Sequence, residues 1–293
     1  MTTDFHGLHA IITGGSSGIG KATACRLAQA GAQVTLIARD PLKLQAAQAE
    51  VEAHREGAQQ RVLALSADVS QCAEVDRAVA AATRVNGPAD ILIASAGVVQ
   101  PGYFDQLPLA AFERTMAIDY FGTLHAVRSV LPGMRQKGHG HIVMISSGAG
   151  LIGVFGYTSY SPAKFAVRGL AEALRAELKA DNIRLSVVYP PDTDTPQLHE
   201  ENKTKPVETR VIAGKGGLRT ADAVAGAILA GIRRDAFRIT PGIQMTLLAW
   251  LNSLVEPALA RYIDSVVARA RRQVRQRVRQ NGQRVNADDG AGQ

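Results

Sequence analysis

The sequence predicts an α/β fold, with one doubly wound parallel sheet and helices on both faces. Short apolar runs, which are typical of strands buried on both sides, alternate with longer amphipathic stretches of helix-forming composition. This alternation indicates βαβ units, in which a helix connects each strand to a parallel neighbour. The 293 residues, of which 46% are hydrophobic, suffice for one such domain with a sizeable core.

Six strands and five helices are predicted in order along the chain. The strands are expected at His9–Thr13, Gln33–Ala38, Val62–Ser66, Asp90–Ser95, His141–Ser146 and Arg184–Tyr189. The helices are expected at Lys21–Ala30, Pro41–Gly57, Glu74–Val85, Phe112–Arg135 and Ser161–Ala180. The second helix illustrates the reasoning, because proline is favoured in a first helical turn and glycine at a helix end. Residues 1–240 are predicted to form this single domain.

The cysteines and the N-terminus bear on the cellular compartment. Cys25 and Cys72 are the only cysteines, and both lie in alanine-rich, helix-like contexts. No disulfide framework is expected, which favours a reducing compartment. Residues 1–5 contain neither the basic region nor the apolar region of a secretory signal, so a cytoplasmic protein is predicted.

A glycine-rich stretch, Thr13-Gly-Gly-Ser-Ser-Gly-Ile-Gly20, connects the first strand to the first helix. Glycines let the backbone approach a pyrophosphate, and a helix N-terminus supplies N–H donors. The G-x-x-x-G-x-G spacing differs from the general G-x-G-x-x-G fingerprint, and a plain tight turn is the alternative interpretation. The residues expected to hold the dinucleotide are Gly14, Ser16, Ser17, Gly18, Ile19 and Gly20.

The end of the second strand indicates which dinucleotide is bound. An NAD site usually carries an acidic residue there, whereas an arginine accommodates the 2′-phosphate of NADP. This chain has Arg39, and Lys43 lies near enough in sequence to reach the same phosphate, so NADPH is predicted. Asp40 is expected to cap the following helix. Asp68, after the third strand, is expected either to contact the adenine or to cap the helix that follows it.

Ser147 and the Tyr160-x-x-x-Lys164 motif together predict a proton-transfer site. A tyrosine is a poor acid near neutral pH, but a lysine one helical turn away lowers its pKa by favouring the phenolate. Ser147 follows a strand and is expected to donate a hydrogen bond to a substrate carbonyl, to which Tyr160 then gives a proton. The alternative is an ordinary amphipathic helix whose tyrosine is core and whose lysine is solvated.

These motifs, with Ser95-Ala-Gly97 and Ser146-Ser147, resemble the short-chain dehydrogenase/reductase family over about residues 7–240. The resemblance implies a Rossmann fold, a nicotinamide cofactor and a homodimer or homotetramer formed through the helices at 112–135 and 161–180. It gives Ser147, Tyr160 and Lys164 the roles described above. The further cofactor contacts it implies are Val69, Ala96, Gly97, Tyr160, Lys164, Pro190, Thr193 and Thr195.

Three positions depart from the family pattern. Ser95 replaces the usual asparagine, and Pro191 replaces the glycine of a Pro-Gly pair. Asp119 stands where the family has an asparagine that supports a water relay to the lysine. Because an ionised aspartate accepts hydrogen bonds but donates none, Asp119 is predicted to alter the charge balance of the lysine and to take part in catalysis.

The long polar stretch 190–217 is predicted to be a substrate lid, since connections of this length are either functional or disordered. Its segments 189–196 and 200–210 are similar to the lid of the 3-ketodihydrosphingosine reductases, as is the helix segment 165–174. This resemblance implies NADPH-dependent reduction of the 3-keto group of a long-chain sphingoid base in sphingolipid synthesis. The alternatives are reduction of another lipophilic ketone (steroid, retinoid or acyl), a non-catalytic NADP(H)-binding scaffold at a membrane, and, for the lid alone, a solvated loop.

The C-terminal region carries most of the basic charge. Residues 261–293 contain eight arginines and three aspartates, in a chain whose formal net charge is +7. The apolar stretch 243–257 is interrupted by Asn252, Ser253 and Glu256, so it is too short for a spanning helix. Residues 241–280 are predicted to form an amphipathic helical extension that lies on anionic lipid, at the cytoplasmic face of a membrane. A helix on a partner subunit, a solvated tail and nucleic-acid binding are alternatives; the last is disfavoured because no aromatic residues interleave the arginines. Residues 281–293 are predicted to be disordered, and no metal site is predicted.

Overall fold

The computed structural model describes residues 4–214, 217–251, 264–265, 267–269 and 272. Seven parallel strands form its central sheet. They are β1 (His9–Thr13), β2 (Gln33–Ala38), β3 (Val62–Ser66), β4 (Ile91–Ala94), β5 (Gly140–Ile145), β6 (Ile183–Val188) and β9 (Arg238–Ile239). Two short strands, β7 (Thr193–Asp194) and β8 (Arg219–Thr220), pair with each other in a separate small sheet.

Helices connect the strands and cover the sheet. They are α1 (Gly18–Gln29), α2 (Pro41–Ala53), α3 (Cys72–Asn86), α4 (Leu109–Thr115), α5 (Gly122–Lys137), α6 (Tyr160–Leu178), α7 (Pro196–Thr204), α8 (Val207–Ala213) and α9 (Ala221–Arg233). Residues 243–251 are also helical. One buried cluster of apolar side chains packs α3, α5 and α6 on one face of the sheet, and a second packs α1, α2 and α9 on the other. The predicted doubly wound sheet is therefore confirmed.

The strand order is β3-β2-β1-β4-β5-β6-β9, and every neighbouring pair is parallel. The chain runs outward from β1 to β3 and then returns to β4 on the other side of β1. Ligands of such sheets bind in the crevice at this switch point, beyond the carboxyl ends of the strands. The glycine-rich stretch after β1, residues 95–98 after β4 and Ser147 after β5 all lie there.

The long helix predicted at 112–135 is interrupted. The structure has α4, a π-helical segment Met116–Phe121 and then α5, so the helical region extends from 109 to 137. Wide π turns inside helices occur frequently at functional sites. Here the π segment carries Asp119, which is completely buried.

The sequence analysis missed α9 and β9, and it assigned no structure to the stretch 190–217. That stretch holds β7, α7 and α8. Each of the two helices has a proline at its start: Pro196 is the first residue of α7, and Pro206 directly precedes α8. Among the described residues, no helix is long and apolar enough to cross a membrane. The predictions for 252–263 and 273–293, including most of the arginine-rich segment, lie outside the described residues.

Candidate active site

A cavity of about 750 Å³ opens at the switch point between β1 and β4. Its floor is formed by the ends of β1, β4 and β5, and its roof by α7, α8 and the helix at 243–251. The glycine-rich loop and Arg39 line it, and so do the polar side chains of Tyr157, Asp192 and Glu201. Its larger apolar lining residues include Val98, Ile152, Val154, Leu198, Ile212, Met245 and Leu248.

The glycine-rich loop has a shape that other residues would not permit. Gly14 has φ +68°, and a Cβ built on it would lie 2.7 Å from the backbone nitrogen of Ala96. A Cβ on Gly20 would lie 2.4 Å from the carbonyl oxygen of Gly14, so α1 approaches the loop closely. Gly18 also has positive φ, at +54°. These contacts bring bare backbone and a helix N-terminus to the cavity wall, which is the arrangement that a pyrophosphate requires.

Ser17 is the N-cap of α1, yet its hydroxyl makes no capping hydrogen bond. The side chain is exposed and lines the cavity beside Ser16. An N-cap serine normally accepts a hydrogen bond from the first helical turn. Because it does not, both its hydroxyl and the amides of that turn are available to phosphate oxygens. The loop therefore fits the dinucleotide that the sequence predicts.

At the other side of the loop, Arg39 and Lys43 are exposed side chains on the cavity lining. Asp40 caps α2, accepting hydrogen bonds from the backbone nitrogens of Leu42 at 3.0 Å and Lys43 at 3.1 Å, so its predicted capping role is confirmed. These amide contacts, that of Lys43 first, lower the pKa of Asp40. Asp40 is therefore engaged by its own helix, and its other oxygen lies 3.7 Å from Lys43 Nζ in an exposed ion pair. Arg39 and Lys43 nevertheless remain exposed on the cavity lining, where a ligand phosphate can reach them.

Asp68 does not cap α3, which was one of its two predicted roles. The N-cap of α3 is Gln71, and the carboxylate of Asp68 instead accepts hydrogen bonds from the backbone nitrogen and hydroxyl of Ser70 at 2.9 and 2.8 Å. Its other oxygen lies 4.0 Å from Nη1 of Arg39. Asp68 does not line the cavity, whereas its neighbours Ala67 and Val69 do. The interpretation of Asp68 as a helix cap was wrong, and its adenine contact stays a prediction.

The proton-transfer residues come together where β5 ends and α6 begins. Tyr160 is the first residue of α6, and Lys164 lies one turn later with its Nζ 5.5 Å from the centroid of the Tyr160 ring. The Ser147 hydroxyl lies close enough to lower the pKa of Tyr160 by hydrogen bonding, and Ser147 Oγ also accepts a hydrogen bond from the backbone nitrogen of Ala149 at 3.2 Å. Two backbone contacts fix this geometry: Ser146 Oγ donates to the carbonyl of Lys164 at 2.9 Å, and Lys164 Nζ donates to the carbonyl of Ile145 at 3.2 Å.

The pKa of Tyr160 is not lowered overall, contrary to the sequence prediction. Burial raises it to about 12; Lys164 lowers it, as predicted, but Asp119 opposes that effect. The tyrosine is thus held as the protonated hydroxyl near neutral pH. That is the form needed to give a proton to a substrate oxygen.

Asp119, which does not line the cavity, contacts the Lys164 ammonium group. Its Oδ2 lies 3.1 Å from Lys164 Nζ as an ion pair, and its Oδ1 accepts a hydrogen bond from the backbone nitrogen of Val98 at 2.8 Å. Burial raises the pKa of Asp119, and the carboxylate in turn raises the pKa of Lys164, whose side chain is also buried. Asp119 is fully buried and does not line the cavity, so it can reach the reaction only through Lys164. Its predicted part in catalysis stays a prediction.

Most of the other predicted site residues share the cavity wall. Those that line it are Gly14, Ser16, Ser17, Gly18, Ile19, Arg39, Lys43, Val69, Ala96, Gly97, Ser147, Tyr160, Lys164, Pro190, Thr193 and Thr195. Gly20 lies behind the loop, where it allows the close approach of α1. Thr195 caps α7 through a hydrogen bond from the backbone nitrogen of Leu198 at 3.2 Å. A Cβ built on Gly18 would lie 3.1 Å from Thr195 Cγ2, so the predicted lid begins next to the glycine-rich loop.

A second polar cluster in the cavity was missed. Glu201 and Lys205, both on or next to α7, form an ion pair of 2.7 Å, and Tyr157 donates a hydrogen bond to the same carboxylate. The side chains are buried, which does not fit the alternative interpretation of this stretch as a solvated loop. The Glu-x-x-x-Lys spacing was the available signal, because residues four apart meet on one helix face.

Comparison with known proteins identifies the family. The model of the family described as short chain dehydrogenase matches residues 8–206. A 3-ketodihydrosphingosine reductase of Mus musculus is 42% identical over 86% of this chain and 76% of the relative. A 3-dehydrosphinganine reductase of Danio rerio is 45% identical over 75% of this chain and 67% of the relative. A 3-ketodihydrosphingosine reductase of Dictyostelium discoideum is 38% identical over 89% and 83%.

Solved structures have the same architecture. The crystal structure of levodione reductase gives a TM-score of 0.75 at 28% identity, covering 83% of this chain and 99% of that one. A short chain dehydrogenase/reductase from Burkholderia phymatum in complex with NAD gives a TM-score of 0.76 at 24% identity, covering 88% and 96%, which shows the shared fold. The chain therefore belongs to the short-chain dehydrogenase family and is an oxidoreductase that uses a nicotinamide cofactor on a CH–OH/C=O group.

Proposed function

We propose that this protein reduces the 3-keto group of a long-chain sphingoid base, 3-ketosphinganine, to the 3-hydroxy base with NADPH, in sphingolipid synthesis. One observation carries the proposal: the cavity that contains Tyr160 is also lined by apolar side chains of α7, α8 and the helix at 243–251, namely Leu198, Ile212, Met245 and Leu248. An alkyl chain would bury apolar surface there while its keto group lies at the tyrosine. The names of the relatives from mouse, zebrafish and Dictyostelium support the same substrate.

The side chains of the site account for proton delivery to the ketone. Bound nicotinamide supplies the hydride that reduces the carbonyl carbon. Ser147 and Tyr160 hydrogen bond to the carbonyl oxygen, and Tyr160 donates its hydroxyl proton to that oxygen as negative charge develops on it. The resulting phenolate is stabilised by the Lys164 ammonium, which Asp119 keeps charged. Lys164 and Asp119 therefore act most strongly after the proton has been transferred, when Tyr160 is a phenolate.

Turnover of a panel of ketones tests the substrate class. We expect loss of reduced nicotinamide absorbance with 3-ketosphinganine in detergent micelles, and much slower loss with a steroid, a retinal-type and a short acyl ketone. A preference for one of those three would overturn the proposal in favour of another lipophilic ketone. Cofactor binding without turnover of any ketone would indicate a non-catalytic scaffold.

We also propose NADPH as the cofactor, because Arg39 and Lys43 flank the adenosine end of the cavity while Asp40 is occupied as a helix cap. Arg39→Ala should weaken NADPH binding by about tenfold or more, the effect of one charge-assisted hydrogen bond, and leave NADH binding unchanged. Titration of nicotinamide fluorescence measures both. Arg61→Ala is the control, because Arg61, unlike Arg39, does not line the cavity. Equal losses for the two cofactors would contradict the proposed specificity.

We further propose peripheral attachment to the cytoplasmic face of a membrane through the helix at 243–251. Its inner face packs Met245 and Ala249 into the core, while Ile243, Leu247 and Trp250 on its outer face are 76%, 55% and 77% exposed. An apolar face of this kind suits the interface of a bilayer. The double variant Leu247→Ser/Trp250→Ser should lose co-sedimentation with anionic phospholipid vesicles. Leu42→Ser, an equally exposed leucine on α2, should not; equal partitioning of both variants would contradict the attachment.

A homodimer or homotetramer through α5 and α6 is part of the same proposal. Phe121, next to α5, and Phe165, on α6, remain 45% and 39% exposed in the single chain, which fits an interface between copies. Light scattering of the purified protein should give two or four times the mass of 31.1 kDa. A monomer across the concentration range used for activity would contradict it.

A further inference from the structure

The roof of the cavity contains buried charges that the proposed chemistry does not use. We call Tyr157, Asp192, Glu201 and Lys205 the lid cluster. Glu201 and Lys205 are 9% and 4% exposed. Lys205 Nζ lies 2.7 Å from Glu201 Oε1 and 3.5 Å from Asp192 Oδ2. Burying charges in this way is costly unless each is matched by a partner.

The carboxylate of Glu201 is only half engaged. Both of its contacts, from Lys205 Nζ and from the hydroxyl of Tyr157, are made to Oε1. Within the described part of the chain, no hydrogen bond is made to Oε2. Glu201 also lines the cavity. A side chain that is nine-tenths buried therefore places a carboxylate on the wall of the space where a substrate would bind.

The charges of the lid cluster do not cancel. Glu201 and Asp192 are two carboxylates, and Lys205 supplies one ammonium. Tyr157 adds no charge, because burial, reinforced by Glu201, raises its pKa. The cluster as a whole thus carries one excess negative charge on the cavity wall, and Asp192 also lines the cavity. A ligand with a single positive charge would neutralise it.

The lid cluster lies beside the proton donor. The rings of Tyr157 and Tyr160 meet edge to face with their centroids 5.5 Å apart. Glu201 is near enough to raise the pKa of Tyr160 as a minor contribution. A cation held by Glu201 would consequently lie near the carbonyl that Tyr160 protonates. In 3-ketosphinganine, the carbon next to the ketone carries an ammonium group.

We propose that Glu201, supported by Asp192, forms a subsite for the ammonium group on the carbon adjacent to the reduced carbonyl. This inference rests on the proposed function, since it assigns one group of that substrate to one side chain. The subsite selects 2-amino ketones over lipophilic ketones of the same length that lack the amine. Lys205 and Tyr157 hold Oε1, so that Oε2 is presented to the ligand in one orientation.

Binding of two products separates this subsite from the reaction. The ligands are sphinganine and the corresponding 1,3-diol without the amine, titrated by calorimetry into the protein with its cofactor bound. For the unaltered protein, sphinganine should bind about tenfold or more tightly than the diol, the effect of one charge-assisted hydrogen bond. In Glu201→Gln the ratio should fall to near one, with diol affinity unchanged. Asp192→Asn should lower the ratio by a smaller factor.

Glu208→Gln is the matched control. Glu208 is a second buried carboxylate of the lid, held by Tyr103 at 3.2 Å, and it does not line the cavity. Its variant should keep the full preference for sphinganine. The subsite is overturned if the unaltered protein shows no preference, if Glu201→Gln keeps it, or if that variant loses both ligands equally.

The result is independent of turnover. If 3-ketosphinganine is reduced but the preference does not depend on Glu201, the subsite fails while the proposed function stands. If the ketone is not reduced but the Glu201-dependent preference is found, the proposed function fails while the subsite stands.

Discussion

Two clusters with the same three chemical groups lie side by side in the cavity. One contains Tyr160, Lys164 and Asp119, and the other contains Tyr157, Lys205 and Glu201. Each lysine lies over its tyrosine ring, at 5.5 and 5.8 Å from the centroid, and each forms an ion pair, at 3.1 and 2.7 Å. Each is also built on an i, i+4 spacing, in α6 for the first and from Glu201 to Lys205 for the second.

The clusters differ in the partner of the tyrosine hydroxyl and in the position of the carboxylate. The hydroxyl of Tyr157 donates a hydrogen bond to Glu201, whereas Tyr160 lies beside Ser147 on the cavity lining and has no carboxylate on its hydroxyl. Asp119 is fully buried and does not line the cavity, whereas Glu201 does. In the first cluster the tyrosine hydroxyl is accessible to substrate, and the cluster acts as a proton donor. In the second cluster the carboxylate is accessible, and the cluster acts as a charged binding surface.

Replacing each tyrosine in turn tests this difference most strongly. Tyr160→Phe should reduce kcat by about 10²–10⁴-fold, because it removes the proton that the alkoxide receives. Tyr157→Phe keeps the ring contact and should affect KM more than kcat. Steady-state kinetics with cofactor titration separates the two effects. The assigned roles would be contradicted if kcat fell strongly in Tyr157→Phe, or if kcat were preserved in Tyr160→Phe.

Removing Lys205 tests how the lid cluster is stabilised. Lys205→Met leaves Glu201 buried without its cation, and we expect a loss of about 3–5 kcal/mol in the free energy of unfolding. The double variant Lys205→Met/Glu201→Gln should recover most of it. Lys203→Met breaks the exposed Lys203–Glu200 pair and should cost less than about 1 kcal/mol. Urea denaturation measures all three; equal stability of the single and double variants would contradict the pairing.

Asp119→Asn is the smallest change and tests the cluster behind Tyr160. Asparagine can still accept the hydrogen bond from Val98, so turnover at neutral pH should stay within about tenfold of the unaltered protein. Asp119 raises the pKa of Tyr160, and removing its charge lowers that pKa. Reduction needs protonated Tyr160. The loss of activity at alkaline pH should therefore begin at a lower pH in Asp119→Asn than in the unaltered protein.

The pH dependence of kcat for reduction measures this shift. Asp181→Asn, which breaks the surface pair with Arg135 at 2.7 Å, should leave the profile unchanged. An alkaline limb that stays in place or moves upward in Asp119→Asn would show that Asp119 does not act on Tyr160 through its charge.

The sheet was predictable because its signals are local. The six predicted strands are short, mainly apolar runs, and each is followed within two residues by a glycine, a proline or a polar residue. The missed β9 has only two residues, Arg238 and Ile239, and pairs solely with β6. Such a strand is defined by its neighbour and not by its own composition. The π segment at 116–121 was likewise hidden, since its residues continue a helical pattern.

The site was predictable where a motif follows a strand end, as with the loop after β1 and with Ser147 and Tyr160 near β5. The lid cluster was not, because Tyr157 and Glu201 are 44 residues apart and meet only through the packing of α7 on the cavity. The overall pKa of Tyr160 also depends on burial, which a sequence spacing does not contain. Spacing correctly gave the direction of the Lys164 effect alone.

Transfer of deuterium to 3-ketosphinganine from NADPH that carries deuterium at both positions of nicotinamide C4 tests the central claim most directly. The unaltered protein should form sphinganine with one deuterium on carbon 3, detected by mass spectrometry, and Tyr160→Phe should form almost none. Unlabelled sphinganine, or no product from a protein that binds both ligands, would contradict reduction of this base at Tyr160.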